Sequence, residues 1–316
     1  MDRLNRLLGI FRRQEPVPEA PKPLPDAPDK ERVVAFQRFM HLDPLLAPGQ
    51  GPLHAVVVLG AFCNVLFRIV ARHGEAETTV EVEGLDVTTR PLEPRQNDAE
   101  YLHRLAREAR LVHERAVVSP EALARFRREL GPGGGFELTN EQEAGFDGYT
   151  IRAAVSDGRG RTHRFEAWSP REQTPCFRFL QALHGLASES LQGWRALNTL
   201  DALHDSAKLG ERFRDFGGTP RLVKLWGFAD SEAQGLGWVE RLRRLPDAEP
   251  IVLDLRWFHG PAVVVKEAMR WAAERPDVRV VVPQRGTPQM VGAMKDSGLP
   301  AERTFRLLDQ VLGEDR

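Results

Sequence analysis

Two kinds of apolar periodicity alternate along this chain. Between residues 64 and 84 it reads NVLFRIVAR, a polar HGEAE and then TTVEVEG; between 149 and 168 it reads YTIRAAV, SDGRGR and THRFEAW. Alternation of period two on either side of turn residues predicts a β-hairpin in each place. Each hairpin is followed by a pattern of helical period. Leu102, Leu105, Ala109 and Val112 line one face of AEYLHRLAREARLVHERA, and Phe177, Leu180, Leu183 and Leu191 line one face of FRFLQALHGLASESL. A helix is therefore expected after each hairpin. A further helix should open at Ser119, a cap residue with Pro120 at the first helical position, and stop before the GPGGG at 131–135. The most apolar stretch, His54 to Phe67, is fourteen residues long and is followed by Arg68 and Arg72. A spanning helix needs about 20 apolar residues, so this stretch reads as buried core.

From Arg221 the pattern becomes regular: LVKLWGF, a helix, IVLDL, a helix, VRVVV, a helix, then TFRLL. Short β-branched runs alternating with helical segments predict a parallel sheet with crossover helices. Ser231 and Gln234 have capping-box spacing, Val264, Ala268 and Trp271 mark one face of the second helix, and Thr287 with Pro288 opens the third. Gly298 should close that helix in the left-handed conformation, with Leu299 against Met294.

These patterns give a chain of α/β and α+β class with four parts: residues 1–13, 14–30, 31–216 and 219–316. The second part carries prolines at 16, 18, 21, 23, 25 and 28, a composition that favours an extended linker. In the first part Leu4, Leu7, Leu8 and Phe11 fall at i, i+3, i+4 and i+7, with Arg3, Arg6, Arg12 and Arg13 elsewhere. Such a stripe suits a docking peptide that folds against a protein groove or a lipid surface. At roughly 3.1 Å per residue the linker could hold it some 50 Å from the body.

The order LWGFADSEAQGLGWVERL, IVLDLRWF, a helix, VRVVVP and a short helix ending DSGLP resembles the STAS fold of anti-sigma-factor antagonists, over about residues 219 to 316. The resemblance implies a bacterial regulatory role exercised by binding other proteins. The family's antagonists carry a phosphorylatable Ser or Thr at the start of the helix after the second strand; this chain has HGPAVVV there. No Ser, Thr or Tyr occurs from Ile251 to Gly286, so binding without the phosphorylation switch is the expectation.

Charge and cysteine usage narrow the remaining classes. With 44 basic and 45 acidic residues and a net charge of -1, the whole chain offers no electrostatic reason to bind nucleic acid or anionic lipid. Arg104, Arg107, Arg110, Arg115, Arg125, Arg127 and Arg128 are read as a solvated helical surface laced with ion pairs, and nucleic acid is not expected as a partner. Cys63 and Cys176 lack CxxC spacing, which argues against a zinc site or disulfide framework and fits a reducing cytoplasm. The opening MDRLNRLLGIFRR has no long apolar core, so a secretory signal is not expected.

Other motifs fail on spacing. VHERAV at 112–117 begins like a metalloprotease helix, but Val117 stands where a second histidine would be needed. The glycines of GPGGG and DGRGR lack the Lys-Ser/Thr of a phosphate loop and read as turns. Cys176 reads as a buried structural thiol. Asp254, Arg256, His259 and Arg285 should lie near the carboxyl ends of strands, where open α/β sheets bind ligands, and form the best crevice on offer. The competing reading makes Asp254 a loop cap, His259 a neighbour of Trp257 and Arg285 solvated.

The function expected is a non-enzymatic bacterial adaptor or regulator with protein partners, no catalytic residue, no metal and no cofactor. It would be cytoplasmic and peripheral to an assembly or membrane through residues 1–13. One alternative is a small-ligand binder or enzyme using the crevice; another is an immunity-like or assembly component run by the middle domain.

Overall fold

The computed structural model describes residues 41–60, 66–86, 110–141, 148–229, 231–247, 249–283, 288–306 and 308–312. The peptide at 1–13 with Leu4, Leu7, Leu8 and Phe11, the linker at 14–30, and Arg285 lie outside these residues. The class is mixed α and β, in two compact units that divide between Ala207 and Lys208.

The first unit holds a six-stranded antiparallel sheet of β1 (Leu53–Gly60), β2 (Leu66–His73), β3 (Thr78–Asp86), β4 (Arg110–Val117), β5 (Tyr149–Ser156) and β6 (Thr162–Trp168), in the order β4-β3-β2-β1-β5-β6. Both expected hairpins are present, as β2–β3 and β5–β6. The second turn closes on Asp157, whose Oδ1 accepts from the amides of Arg159 (2.7 Å) and Arg161 (3.0 Å), the side-chain mimicry that makes Asp a turn residue.

Alternation assigns the two faces. Val56 and Val58 on β1, Ile69 and Phe67 on β2, and Val80 and Val82 on β3 are buried on one face. That face is covered by α1 (Pro120–Leu130), α2 (Pro175–Ser190) and α3 (Trp194–Asp201), with α2 against β1, β2 and β3, α3 against β3 and β4, and α1 against α2. Gly84 marks the closest approach: a Cβ there would lie 2.6 Å from Cβ of Phe67 and 2.9 Å from Cγ2 of Thr199 on α3. Ser119 caps α1 through the Ala122 amide at 3.2 Å, and Thr174 caps α2 through Phe177 at 3.3 Å. On the opposite face Leu53, Ala55, Val57, Val70 and Ala154 pack under Leu42 and Leu45, which belong to the short 3-10 helix region Asp43–Leu46 and its cap.

One expectation is overturned. The helix read over AEYLHRLAREARLVHERA ends as a strand, because Arg110–Val117 is β4 and pairs antiparallel with β3 from Asp86↔Arg110 to Thr79↔Val117. Val112 is 6 % exposed while Leu111, His113, Arg115 and Val117 face solvent, a period of two that the helical spacing of Leu102, Leu105, Ala109 and Val112 concealed. Arg110 and Arg115 therefore sit on a strand and Arg125, Arg127 and Arg128 on α1, while Leu102, Arg104, Leu105, Arg107 and Ala109 lie outside the described residues.

The second unit begins earlier than expected. A short helix α4 (His204–Ala207) ends the first unit, and β7 (Phe213–Asp215), placed before the expected boundary at 216, pairs antiparallel with β8 (Arg221–Phe228). Phe213 belongs to the second core. β9 (Ile251–His259), β10 (Val278–Val281) and β11 (Thr304–Phe305) follow in parallel, giving the order β11-β10-β9-β8-β7. The crossovers are α5 (Glu232–Arg243), α6 (Ala262–Glu274) and α7 (Pro288–Ser297), with a last turn α8 (Asp309–Leu312). A strand order that never reverses, combined with right-handed crossovers, puts every crossover helix on one face. The core shows this, with Val223, Leu225, Leu253, Leu255 and Val280 packed under Trp238, Val264, Ala268 and Trp271. Ser231 caps α5 through the Gln234 amide at 3.2 Å as expected. Gly298 is left-handed at φ 71°, and the Leu299 amide donates to Oγ of Ser297 at 3.2 Å, so a hydroxyl takes part in closing α7.

Candidate functional site

The crevice suggested at the carboxyl end of the C-terminal sheet is built around an irregularity. Lys224 of β8 pairs with Asp254 of β9, but Trp226 pairs with Trp257, so β9 carries one extra residue between these rungs. Such a bulge frees backbone groups and re-aims side chains. Leu253 faces the core before it, Leu255 within it and Phe258 after it. Asp254 fastens the bulge: its Oδ1 accepts from the backbone amide of Arg256 at 3.1 Å and from Nε at 2.9 Å, while Oδ2 accepts from Nη2 at 2.8 Å.

Both side chains of that pair are only 4 % exposed, and Lys224 beside them is 2 % exposed with Nζ 3.7 Å above the Trp226 ring. Burial pushes the Asp254 carboxyl up, but the Arg256 guanidinium, its hydrogen bonds and the Lys224 charge outweigh that and hold it below the usual carboxylate range. The carboxylate is thus ionised, enclosed and bidentate to arginine, an arrangement suited to fixing a strand rather than receiving a ligand.

Three of the four crevice residues are described. Asp254 and Arg256 are joined, His259 is the exposed last residue of β9, and Arg285 lies outside the described residues. Open α/β sheets bind ligands where strand order reverses and neighbouring helices part to opposite faces. The order β8-β9-β10-β11 has no such reversal.

What the α6 end of this unit does present is apolar surface. Pro261 precedes α6, no side chain caps its amino terminus, and Ala262 and Val263 in its first turn are exposed, Val263 by 37 %. Val291 on the neighbouring α7 is 41 % exposed, and the two helices are tied by Lys266 and Asp296 at 3.5 Å.

Two side-chain groups in the first unit escaped the sequence reading. On the helix-covered face, Nδ1 of His54 lies 2.8 Å from Nε2 of His73, Nε2 of His54 lies 3.0 Å from the Gly134 carbonyl, and Nδ1 of His73 lies 3.3 Å from Oγ1 of Thr78. A carbonyl only accepts, so His54 carries its proton on Nε2 and accepts at Nδ1 from His73, which in turn accepts from the threonine hydroxyl. Desolvation beside Phe126 and Phe179, with His73 acting on His54 and the Arg127 charge on His73, lowers both histidines to about 4. Through Gly134 the neutral relay holds the GPGGG loop to the sheet, and His163 holds the segment after it through the Leu138 carbonyl at 2.5 Å. The signal was present in the alternation, since His54 shares its face with Val56 and Val58.

The second group lies on the other face of β3 and β4. Ligand-type atoms of Glu81, Glu83 and His113 lie within 4.8 Å of one another. Nε2 of His113 meets Glu81 at 2.6 Å, and Glu83 is taken by Arg68, so a guanidinium supplies the positive charge there. Cys176 is fully buried, donates Sγ to the Thr139 carbonyl at 3.4 Å, and is pushed up to about 12 by burial and by Glu141; it is a structural thiol with little thiolate character.

No helix among the described residues is long and apolar enough to cross a membrane. No family model matches the chain, and no curated protein or solved structure matches it significantly.

Proposed function

We propose that this chain is a non-enzymatic bacterial adaptor or regulator that works by binding proteins, with a STAS-like second unit as its recognition module. The observation that carries the reading is Val263, a large apolar residue left exposed in the first, uncapped turn of α6, with Ala262 exposed beside it. A solvated helix start ordinarily bears Ser, Thr, Asp or Asn. Apolar residues there suit a partner that covers them, and the resemblance to antagonists whose regulatory residue sits at this helix start points to the same surface.

The enclosed Asp254–Arg256 pair supports a binding role over chemistry at this end of the sheet. The amino-terminal stripe Leu4, Leu7, Leu8 and Phe11 would add a second, tethered contact. Val263→Asp places a charge in the proposed contact without touching the core. In native isolation of the tagged full chain from the cells that make it, this variant should lose a stoichiometric partner that the parent retains. Equal recovery with both, at unchanged melting temperature, would remove α6 from the interface and this reading with it.

A further inference from the structure

The edges of the two sheets are protected unequally. In the second unit the edge strands β7 and β11 have three and two residues, too short to template another strand. In the first unit β6 is closed by the segment that precedes β5: Glu141 bridges to Ala167, its amide donating to Glu166 O at 3.0 Å and its carbonyl accepting from Trp168 N at 3.2 Å, while Asn140 Oδ1 takes the Glu166 amide at 2.8 Å. The opposite edge, β4, has eight residues, no proline and an unbroken register with β3, and among the described residues nothing lies beyond it in the sheet.

The direction of its free backbone groups follows from one bond. The Val118 amide donates to the Thr78 carbonyl at 2.9 Å, so residues of that parity, 116, 114, 112 and 110, point their amides and carbonyls toward β3. Leu111, His113, Arg115 and Val117 point theirs outward. The side chains of these same residues stand on the face away from the helices, with Leu111 38 % and Val117 59 % exposed.

We propose that β4 pairs antiparallel with β4 of a second copy of this chain about a two-fold axis at Glu114, joining the two six-stranded sheets edge to edge. In this register Leu111 stands opposite Val117 of the second copy and His113 opposite its Arg115, each rung made twice by symmetry. All four outward-pointing residues fall on hydrogen-bonded rungs, and both exposed apolar residues of the strand cover each other. Glu83, which pairs with His113 in the register, and Glu81, which pairs with Arg115, flank each His113–Arg115 rung with carboxylates. A strand of another protein would find the backbone groups but not this self-matching of apolar positions, an isologous contact being self-complementary. The inference does not depend on the α6 surface.

The test uses the full chain. Sedimentation should give twice the 35.6 kDa chain mass. Glu114 meets its own copy at a rung without hydrogen bonds, where Cα atoms approach to about 4.5 Å, within disulfide reach. In the parent each Glu114 carboxylate is held on the helix side by the amides of Gln192 and Gly193 at 2.9 and 2.8 Å; Glu114→Cys gives up those bonds, removes the like charge at the axis, and should yield an oxidised covalent dimer that the parent chain does not. Arg115→Pro removes an outward amide without touching the β3 ladder; it should keep the parent circular dichroism and weaken association roughly 100-fold, two lost bonds at about tenfold each. A folded monomer at about 100 μM, well above the roughly micromolar range of a specific dimer, would overturn the proposal. So would cross-linking by His113→Cys in place of Glu114→Cys, which would shift the axis by one residue, or a dimer that survives Arg115→Pro intact.

Discussion

Replacing Asp254 with Asn keeps the volume at the bulge of β9 and removes one charge. The carboxylate accepts three bonds from Arg256 at 2.8, 2.9 and 3.1 Å, and both partners are nearly sealed from water. The amide loses the charge, turns an NH2 toward a donor, and leaves the guanidinium uncompensated beside Lys224. Breaking a buried pair in this way costs about 3 to 5 kcal/mol. Asp254→Leu combined with Arg256→Met removes both charges and should cost less than the single change, with about 1 kcal/mol remaining for the uncapped bulge amide. Denaturant unfolding followed by tryptophan emission is the assay, because Trp226, Trp238, Trp257 and Trp271 all lie in the second unit. The sign with pH is fixed by the lowered carboxyl. Its contribution is complete above the unfolded value of about 3.9 and disappears as pH falls through the still lower folded one. If Asp254→Asn unfolds within about 1 kcal/mol of the parent, the carboxylate is not a structural clasp and the crevice reading regains its ground.

Other perturbations give separate tests. His54 and His73 fall from 6.5 to about 4 on folding, so the unfolded chain binds more protons and stability should decline from pH 6.5 toward 4; His54→Gln with His73→Gln should flatten that slope in melts across the window. Ser119→Ala removes the α1 cap and should cost about 1 kcal/mol in denaturant midpoint analysis. Gly84→Ala should cost about 1 to 3 kcal/mol, because its Cβ meets Phe67 and the Leu66 carbonyl as well as α3. Cys176, buried and raised to about 12, should resist iodoacetamide in the native chain and react on unfolding, read by mass spectrometry at that residue.

Both hairpins, the caps at Ser119 and Ser231 and the alternation of strand and helix after Arg221 were legible because each rests on local chemistry: turn residues, a hydroxyl before a helix, a period of two. β4 was not legible, since its alternation of Leu111, His113, Arg115 and Val117 overlaps the helical spacing that precedes it, and only pairing with β3 decides between the two. β7 escaped because three residues carry no period. At Asp254 two readings stood open, a ligand crevice and a loop cap, and the bond from the Arg256 amide favours the cap; the bulge itself is visible only in the register of two strands. The histidine relay required strands adjacent in the sheet, a long-range fact that no local pattern states.

The central claim, recognition of a protein through the first turn of α6, is tested most directly by a photo-crosslinking amino acid placed at Val263 and, as control, at Glu274 on the far end of the same helix. Illumination in living cells should give one discrete heavier adduct from position 263 and none from 274. No adduct at 263, or equal smears from both positions, would contradict the claim.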